Sequence, residues 1–227
     1  MLSENDIVAL GLSFKLATIS TLILILLGTP LAWWLANTRV KVKILVESII
    51  ALPLVLPPTV LGFYLLLAFS PHSTLGKLFS ALGLGSLAFS FSGLVIGSIF
   101  YSLPFVVQPL QNAFKSLDKR TLETAACLRA SPMDAFFNVV IPLCKAGFIT
   151  AAVLGFAHTL GEFGIVLMIG GNIPGKTQVA SIAIYEHVET LDYASAHALS
   201  ATLLLLCFLF LMAVFFINRQ VKTESNY

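Results

Sequence analysis

Charge is absent from three long stretches of the chain, Leu16–Thr38, Ser48–Ser70 and Leu78–Phe114. Two more are nearly free of it: Ala146–Gly175, broken only by His158 and Glu162, and Tyr193–Asn218, with His197 alone. A helix needs roughly 20 apolar residues to cross a bilayer, because in lipid the backbone must satisfy its own hydrogen bonds. The pattern therefore predicts five spans, near 14–36, 47–70, 91–114, 144–166 and 194–217. A transmembrane barrel would show alternating segments of about 10 residues. The unbroken run Leu203-Leu204-Leu205-Leu206-Cys207-Phe208-Leu209-Phe210 excludes it. The expected fold is an all-α, polytopic membrane helix bundle forming one domain over 1–227.

Composition agrees. Of 227 residues, 58% are hydrophobic and 11% charged, against about 25% charged in a soluble domain. Lipid must cover what charge does not. A net charge of +2 is too small to argue for nucleic acid. Cys127, Cys144 and Cys207 have no metal-ligand spacing and read as small apolar fillers.

The basic residues set the orientation. Arg39, Lys41 and Lys43 follow the first span, and Lys115, Lys119, Arg120, Arg129 and Lys145 separate the third from the fourth. Arg219 and Lys222 follow the fifth, which leaves Lys15, Lys77 and Lys176 for the other side. By the positive-inside rule the richer side is cytoplasmic, with the N-terminus outside and the C-terminus inside. Glu4 and Asp6 replace the basic start of a signal peptide, so cleavage is not expected.

Within the spans, Pro53, Pro57 and Pro58 should kink the second. Pro104 and Pro109 lie in the third, where Gly93 and Gly97 suit close helix approach. His158 and Glu162 are the ionisable pair inside a span; four apart, they would share a helix face and bond to each other. Such groups usually face the bundle interior or a wet cavity. Gly161 and Gly164 should loosen the helix there. The candidates for a pathway or gate are Pro57, Pro58, His158, Gly161, Glu162, Phe163 and Gly164.

The segment Gly170-Gly171-Asn172-Ile173-Pro174-Gly175-Lys176-Thr177 fits the letters of a nucleotide-binding P-loop. Pro174 removes one of the amides that would cradle phosphate, no α/β unit surrounds the segment, and the topology puts it outside. It reads instead as a loop at the outer mouth.

Residues 116–142 read as two short cytoplasmic helices. Asp118 caps the first, which carries Leu122, Ala125, Ala126 and Arg129 at helical spacing. Ser131-Pro132-Met133-Asp134 opens the second, with serine as cap, proline in the first turn and aspartate returning a bond. Phe136, Phe137, Val140 and Ile141 should anchor it, and Pro142 should end it. The pair suits either an ordinary structured loop or a docking finger.

Glu123-Thr124-Ala125-Ala126, then Ala130-Ser131-Pro132, closing on Val140-Ile141-Pro142, resembles the EAA loop of binding-protein-dependent ABC importer permeases. Ala130 is taken as the position where that motif carries glycine. Within the family the chain is similar to molybdate permeases, through Leu52-Pro53-Leu54-Val55-Leu56-Pro57-Pro58 with Gly62, Leu160-Gly161-Glu162-Phe163-Gly164, and Asn172-Ile173-Pro174-Gly175-Lys176-Thr177. Sulfate and tungstate permeases share the Glu-Phe-Gly segment and a similar loop. Some relatives carry an additional N-terminal span; this chain starts almost at its first, which favours five.

The resemblance implies a multi-pass subunit of the cell membrane (the inner one where there are two). A second copy would complete a homodimer, with an ABC ATPase dimer below and a periplasmic or extracellular molybdate-binding protein above. Coupling to the ATPase would pass through Glu123, Ala125, Ala126, Ala130, Ser131 and Pro132. The chain would translocate molybdate, need no cofactor or metal and catalyse nothing. Tungstate or sulfate is the alternative cargo. An ion-coupled secondary carrier is the alternative class, disfavoured because Glu162 is the one intramembrane carboxylate and no internal repeat is visible.

Overall fold

The computed structural model describes residues 2–81 and 85–224, apart from the side chains of Ser80, Lys119, Phe215 and residues 217–224. Of the basic residues used for orientation, Lys119, Arg219 and Lys222 thus lie outside the described side chains. The described residues form helices and connecting turns, with no strand among them.

The first helix is longer than its apolar stretch. Helix α1, Glu4–Asn37, starts at a capping box in which Ser3 Oγ accepts the Asp6 N–H and Asp6 Oδ2 accepts the Ser3 N–H. The second stretch is two helices, α2 (Val42–Val55) and α3 (Pro58–Phe69), meeting at 114°. The bend has a local cause. Leu56 and Pro57 each precede a proline, which disfavours the helical region, and their ψ values are 136° and 135°. Pro53, by contrast, lies within α2.

Helix α4 spans Thr74–Ala81, and α5 runs unbroken from Phe91 to Lys115 through both of its prolines. Then comes the short pair that follows Lys115, α6 (Lys119–Cys127) and a continuous helical segment from Pro132. That segment comprises α7 (Pro132–Ala135), a π-helical turn (Phe136–Val140) and α8 (Ile141–Leu143). Pro142 therefore does not end it. The Ile141 N–H bonds five residues back to the Phe136 carbonyl, and this wider turn carries the chain into a proline that offers no donor of its own.

The fourth stretch is also divided. Helix α9, Lys145–Leu160, stops at Gly161, and α10, Gly164–Gly170, begins three residues later. A single helix over 144–166 does not form. The chain ends in α11 (Ala180–Glu189) and α12 (Tyr193–Glu224). Among the described residues three helices are long and apolar enough to cross a membrane, and five crossings result if each of two bent pairs counts as one. The second pair joins Pro132–Leu143 to Lys145–Leu160 at 72°.

Helix α5 is central. It runs parallel to α1, with Leu16 beside Leu94 and Val95 at one end and Leu35 beside Leu110 and Phe114 at the other. Helix α9 runs antiparallel to both, and a Cβ on Gly155 would meet Val106 of α5 and Thr21 of α1. Lys43 and Lys115 consequently lie at one end, flanking Glu47 at 4.0 and 3.9 Å. Lys15 lies at the other, 4.9 Å from the centre of the Phe91 ring. There Ser13 of α1 accepts the Ala180 N–H at 2.7 Å, supplying the cap that α11 lacks in its own sequence. Asp6 and His187 Nε2 meet at 2.8 Å beside it. Leu22, Leu26 and Leu27 of α1 and Leu204, Phe208 and Met212 of α12 remain exposed, an apolar surface that lipid covers.

Gly97, expected to admit a close neighbour, sits against Ile165 and Ile169 of α10. Gly147 is tighter. A Cβ there would stand 2.3 Å from Cβ of Ala113, in the last turn of α5, and no side-chain rotation moves a Cβ aside. Gly147→Ala is expected to destabilise the bundle by about 1–3 kcal/mol, the usual cost of overpacking. Adding Ala113→Gly should recover most of the loss, and thermal unfolding of the purified protein in detergent reads both effects.

Candidate transport pathway and coupling finger

The two helix breaks come together in space. Gly164 of α10 packs on Pro58 at the start of α3; a Cβ on it would stand 2.8 Å from Pro58 Cβ. Beside this contact lies a cavity of about 600 Å³, lined by Pro58 and Thr59 from one break and by Gly161, Glu162, Phe163 and Gly164 from the other. Tyr101 of α5 and His158 of α9 close its wall. Six of the seven residues predicted for the pathway therefore share one cavity. Pro57 adjoins it, as the residue immediately before α3.

His158 and Glu162 do not bond to each other as their spacing suggests. The helix ends between them, so the four-residue register is lost. His158 Nδ1 lies 2.9 Å from Ser102 Oγ, which also lies 2.9 Å from Thr159 Oγ1. The imidazole stacks on Phe105 at 3.8 Å between ring centres. Glu162 is 4% exposed. Its Oε2 accepts the Ser98 hydroxyl at 3.0 Å, and its Oε1 has no hydrogen-bond partner among the described residues. The break itself is held by Ser181 of α11, whose hydroxyl donates to the Glu162 carbonyl at 2.7 Å. Such a bond is what a helix interruption at this depth requires.

Among the described residues, three or more potential metal ligands nowhere cluster. The segment 170–177 is a closed turn rather than a phosphate cradle. Thr177 Oγ1 donates to the Gly170 carbonyl and accepts the Ile173 N–H, while Lys176 is exposed.

At the basic end, residues 116–142 form a finger. Asp118 caps α6 by accepting the Arg120 N–H at 3.0 Å. Ser131 caps the next helix by accepting the Asp134 N–H at 3.2 Å. Asp134 does not return the bond; its carboxylate accepts from Asn138 instead. Phe136 packs edge-on against Trp33 at 5.3 Å, and Trp33 against Phe114 at 5.2 Å. Val140 is fully buried, whereas Phe137 is exposed, so Phe136 and Val140 anchor the finger and Phe137 does not. A second cavity, of about 490 Å³, separates the finger from α1 and includes Leu122, Ala126, Ala130 and Met133 in its walls.

The turn between the finger's helices is a Schellman motif. The Arg129 N–H bonds to the Ala126 carbonyl and the Ala130 N–H to the Ala125 carbonyl. The left-handed residue is Arg129, at φ 62°, not Ala130. The position that calls for glycine is thus Arg129, one residue before Ala130. Of the coupling candidates, Glu123, Ala126, Ser131 and Pro132 are exposed, Ala130 is half-buried, and Ala125 is buried within the finger.

The family described as "Binding-protein-dependent transport system inner membrane component" matches residues 28–223. This chain belongs to that family. It is 58% identical over 214 residues to the molybdenum transport system permease protein ModB of Azotobacter vinelandii, covering 94% of this chain and 95% of the relative. It is 37% identical to ModB of Haemophilus influenzae, covering 82% and 81%. The sulfate transport system permease protein CysT of Synechocystis is 31% identical, covering 88% and 70%. Among solved structures, the bacterial alginate ABC transporter with its alginate pentasaccharide-bound periplasmic protein aligns at TM-score 0.78 and 18% identity, covering 96% of this chain and 80% of that one. The inward-facing methionine transporter MetNI aligns at 0.74 and 18%, covering 97% and 99%. These likenesses show the fold.

In this inner membrane component, several residues that line the cavity or hold its His158 and Glu162 have no marked pattern in the sequence. Ser98, Ser102, Tyr101 and Phe105 lie in the third apolar stretch, and Ser181 follows the outer loop. The one available trace was the serine pair Ser98 and Ser102, spaced one helical turn apart and one residue beyond Gly97. The finger yields a prediction of its own. Arg129→Gly should stabilise the protein by about 1 kcal/mol by relieving a left-handed side chain. Ala130→Gly should bring no such gain, and thermal unfolding of the two variants checks the difference.

Proposed function

We propose that this chain is the transmembrane permease of an ATP-driven importer of molybdate. The observation that carries this is the 58% identity to a molybdenum permease along nearly the whole of both chains. Likeness to sulfate permeases at 31–34% identity keeps sulfate as the second reading, and tungstate has the same tetrahedral dianion chemistry. The chain acts as one domain, in the cell membrane, with the basic end in the cytoplasm. The positive-inside rule and the common placement of Lys43, Lys115 and the finger support that orientation.

Two copies would form the pathway as a homodimer, with an ATPase dimer against the fingers and a periplasmic or extracellular binding protein on the outer face. ATP hydrolysis belongs to the ATPase subunits. Glu123, Ala126, Ser131 and Pro132 are exposed where a partner would dock, Ala130 supports the turn, and Ala125 serves by packing within the finger. Helix α9 links the finger to the cavity at His158 and Glu162. Closure of the ATPases would move the fingers and tilt α9, and the Gly164–Pro58 contact would open and close. A bundle with two packings, each favoured by a ligand at one face, needs nothing more.

The test is uptake by the complex reconstituted with its ATPase and binding protein, with molybdate, tungstate and sulfate in competition. Saturating, ATP-dependent molybdate uptake that excess sulfate does not displace is expected; preferential sulfate uptake would reassign the cargo. Glu123→Ala or Ala126→Trp should lower ATP-driven uptake by about tenfold, within the range of coupling free energies between sites. Full uptake in both variants would remove the finger from the mechanism.

A further inference from the structure

We propose that Glu162 works as a neutral carboxylic acid, its hydroxyl on Oε1 donating a hydrogen bond to a fully deprotonated tetrahedral oxyanion in the cavity. This rests on the oxyanion-permease reading and gives that pathway a specificity-determining residue.

The donor and acceptor count around the carboxyl is the first ground. An ionised carboxylate is acceptor-only, with about four lone-pair sites to satisfy. Glu162 is 4% exposed and receives one hydroxyl, from Ser98 on Oε2. No ion pair among the described residues includes it, and Oε1 is without a partner among them. A bare charge so placed is costly. The acid form fits the same surroundings: its carbonyl oxygen accepts from Ser98, and its other oxygen carries one proton to give.

Position is the second ground. Glu162 lies in the wall of the 600 Å³ cavity, at a helix break where the backbone is already irregular. In a homodimer two such groups border one path. Two carboxylates there would repel a dianion, most strongly in the low dielectric of the membrane. Two carboxylic acids would not, and each would offer a donor to a cargo that has only acceptors. Oε1 is closed off in this conformation, so the donor is presented as the bundle alternates and the Gly164–Pro58 contact parts.

The titratable groups facing the site are Tyr101 from α5 and His158 from α9. Helices α3 and α11 bring Pro58, Thr59 and Ser181, which do not titrate, and α11 also brings Tyr185, whose ring lies 5.0 Å from that of Phe163 and is likewise unchanged in these variants. Comparing variants at position 162 leaves Tyr101 and His158 unchanged.

The experiment uses the whole complex in proteoliposomes, with molybdate as the probe. Glu162→Gln keeps the shape and replaces the O–H donor with N–H; its uptake should stay within about threefold of wild type. Glu162→Leu removes the donor and should lose about tenfold or more, the scale of one hydrogen bond to a charged group. As pH rises the acid form is lost, so wild-type uptake relative to Glu162→Gln should fall on moving from mildly acidic to alkaline medium. Loss in Glu162→Gln as deep as in Glu162→Leu, full uptake in Glu162→Leu, or a ratio flat with pH would each overturn the proposal. A wild-type complex that moves no oxyanion would overturn the underlying reading as well, an outcome recognisable without any variant.

Discussion

A backbone inside a bilayer has no water to turn to, so every interruption of a helix must be answered by another part of the protein. This chain interrupts its helices twice in the apolar region, at Leu56–Pro57 and at Gly161–Phe163, and the two interruptions are neighbours. The first is imposed by sequence, since two successive prolines exclude the helical region from the residues before them. The second is held by tertiary contacts: Ser181 binds the Glu162 carbonyl, and Gly164 allows α10 to rest on Pro58. The cavity is the space that remains where the two breaks face each other. Its wall residues Glu162 and His158 are held in turn by Ser98 and Ser102 of α5.

The basic end obeys a different economy. There the finger has water on one side, so its caps and its turn can be built from local chemistry. It is tied to the membrane part by stacked rings, Phe136 on Trp33 and Trp33 on Phe114, and by the buried Val140. Helix α9 starts one residue after the finger's last helical turn and stops at the cavity. At 1.5 Å per residue its 16 residues make a rod of about 24 Å between the two sites. The rod thus joins the bend at the base of the finger to the His158 end of the cavity without an intervening loop.

Much of this was legible in the amino-acid order because the causes were local. The apolar stretches, the Pro57–Pro58 bend, the Asp118 and Ser131 caps and the side on which the finger lies all follow from short-range rules. The failures share a cause too. Gly161 in an apolar run is compatible with a continuing helix, and what favours the break is Ser181, which binds the Glu162 carbonyl from nineteen residues further on. That break also ends the register that would have joined His158 to Glu162. Arg129 shows the converse: a local rule assigns left-handed backbone to glycine, yet two Schellman bonds hold an arginine there. Pro142 passes within a helix because of the π turn before it, which propensity does not reveal. Ser98 and Ser102 give no sign of their partners in the sequence, since a hydroxyl in a span is as often bonded to its own helix, as Ser13 is to Ala9 and Thr150 to Ala146.

The outer end of the bundle bears on how the protein is made. Ser13 reaches its partner Ala180 across 167 residues, and Asp6 reaches His187 across 181. The first helix to leave the ribosome must therefore wait in the membrane until almost the whole chain has followed. Ser13 is suited to waiting. Its hydroxyl hydrogen is bonded within its own helix to the Ala9 carbonyl at 2.9 Å, and the oxygen that later receives the Ala180 amide needs no donor meanwhile. Assembly of this rim is thus a late step, dependent on the last quarter of the polypeptide, and a chain cut short before α11 would leave Ser13 and Asp6 of α1 without these partners.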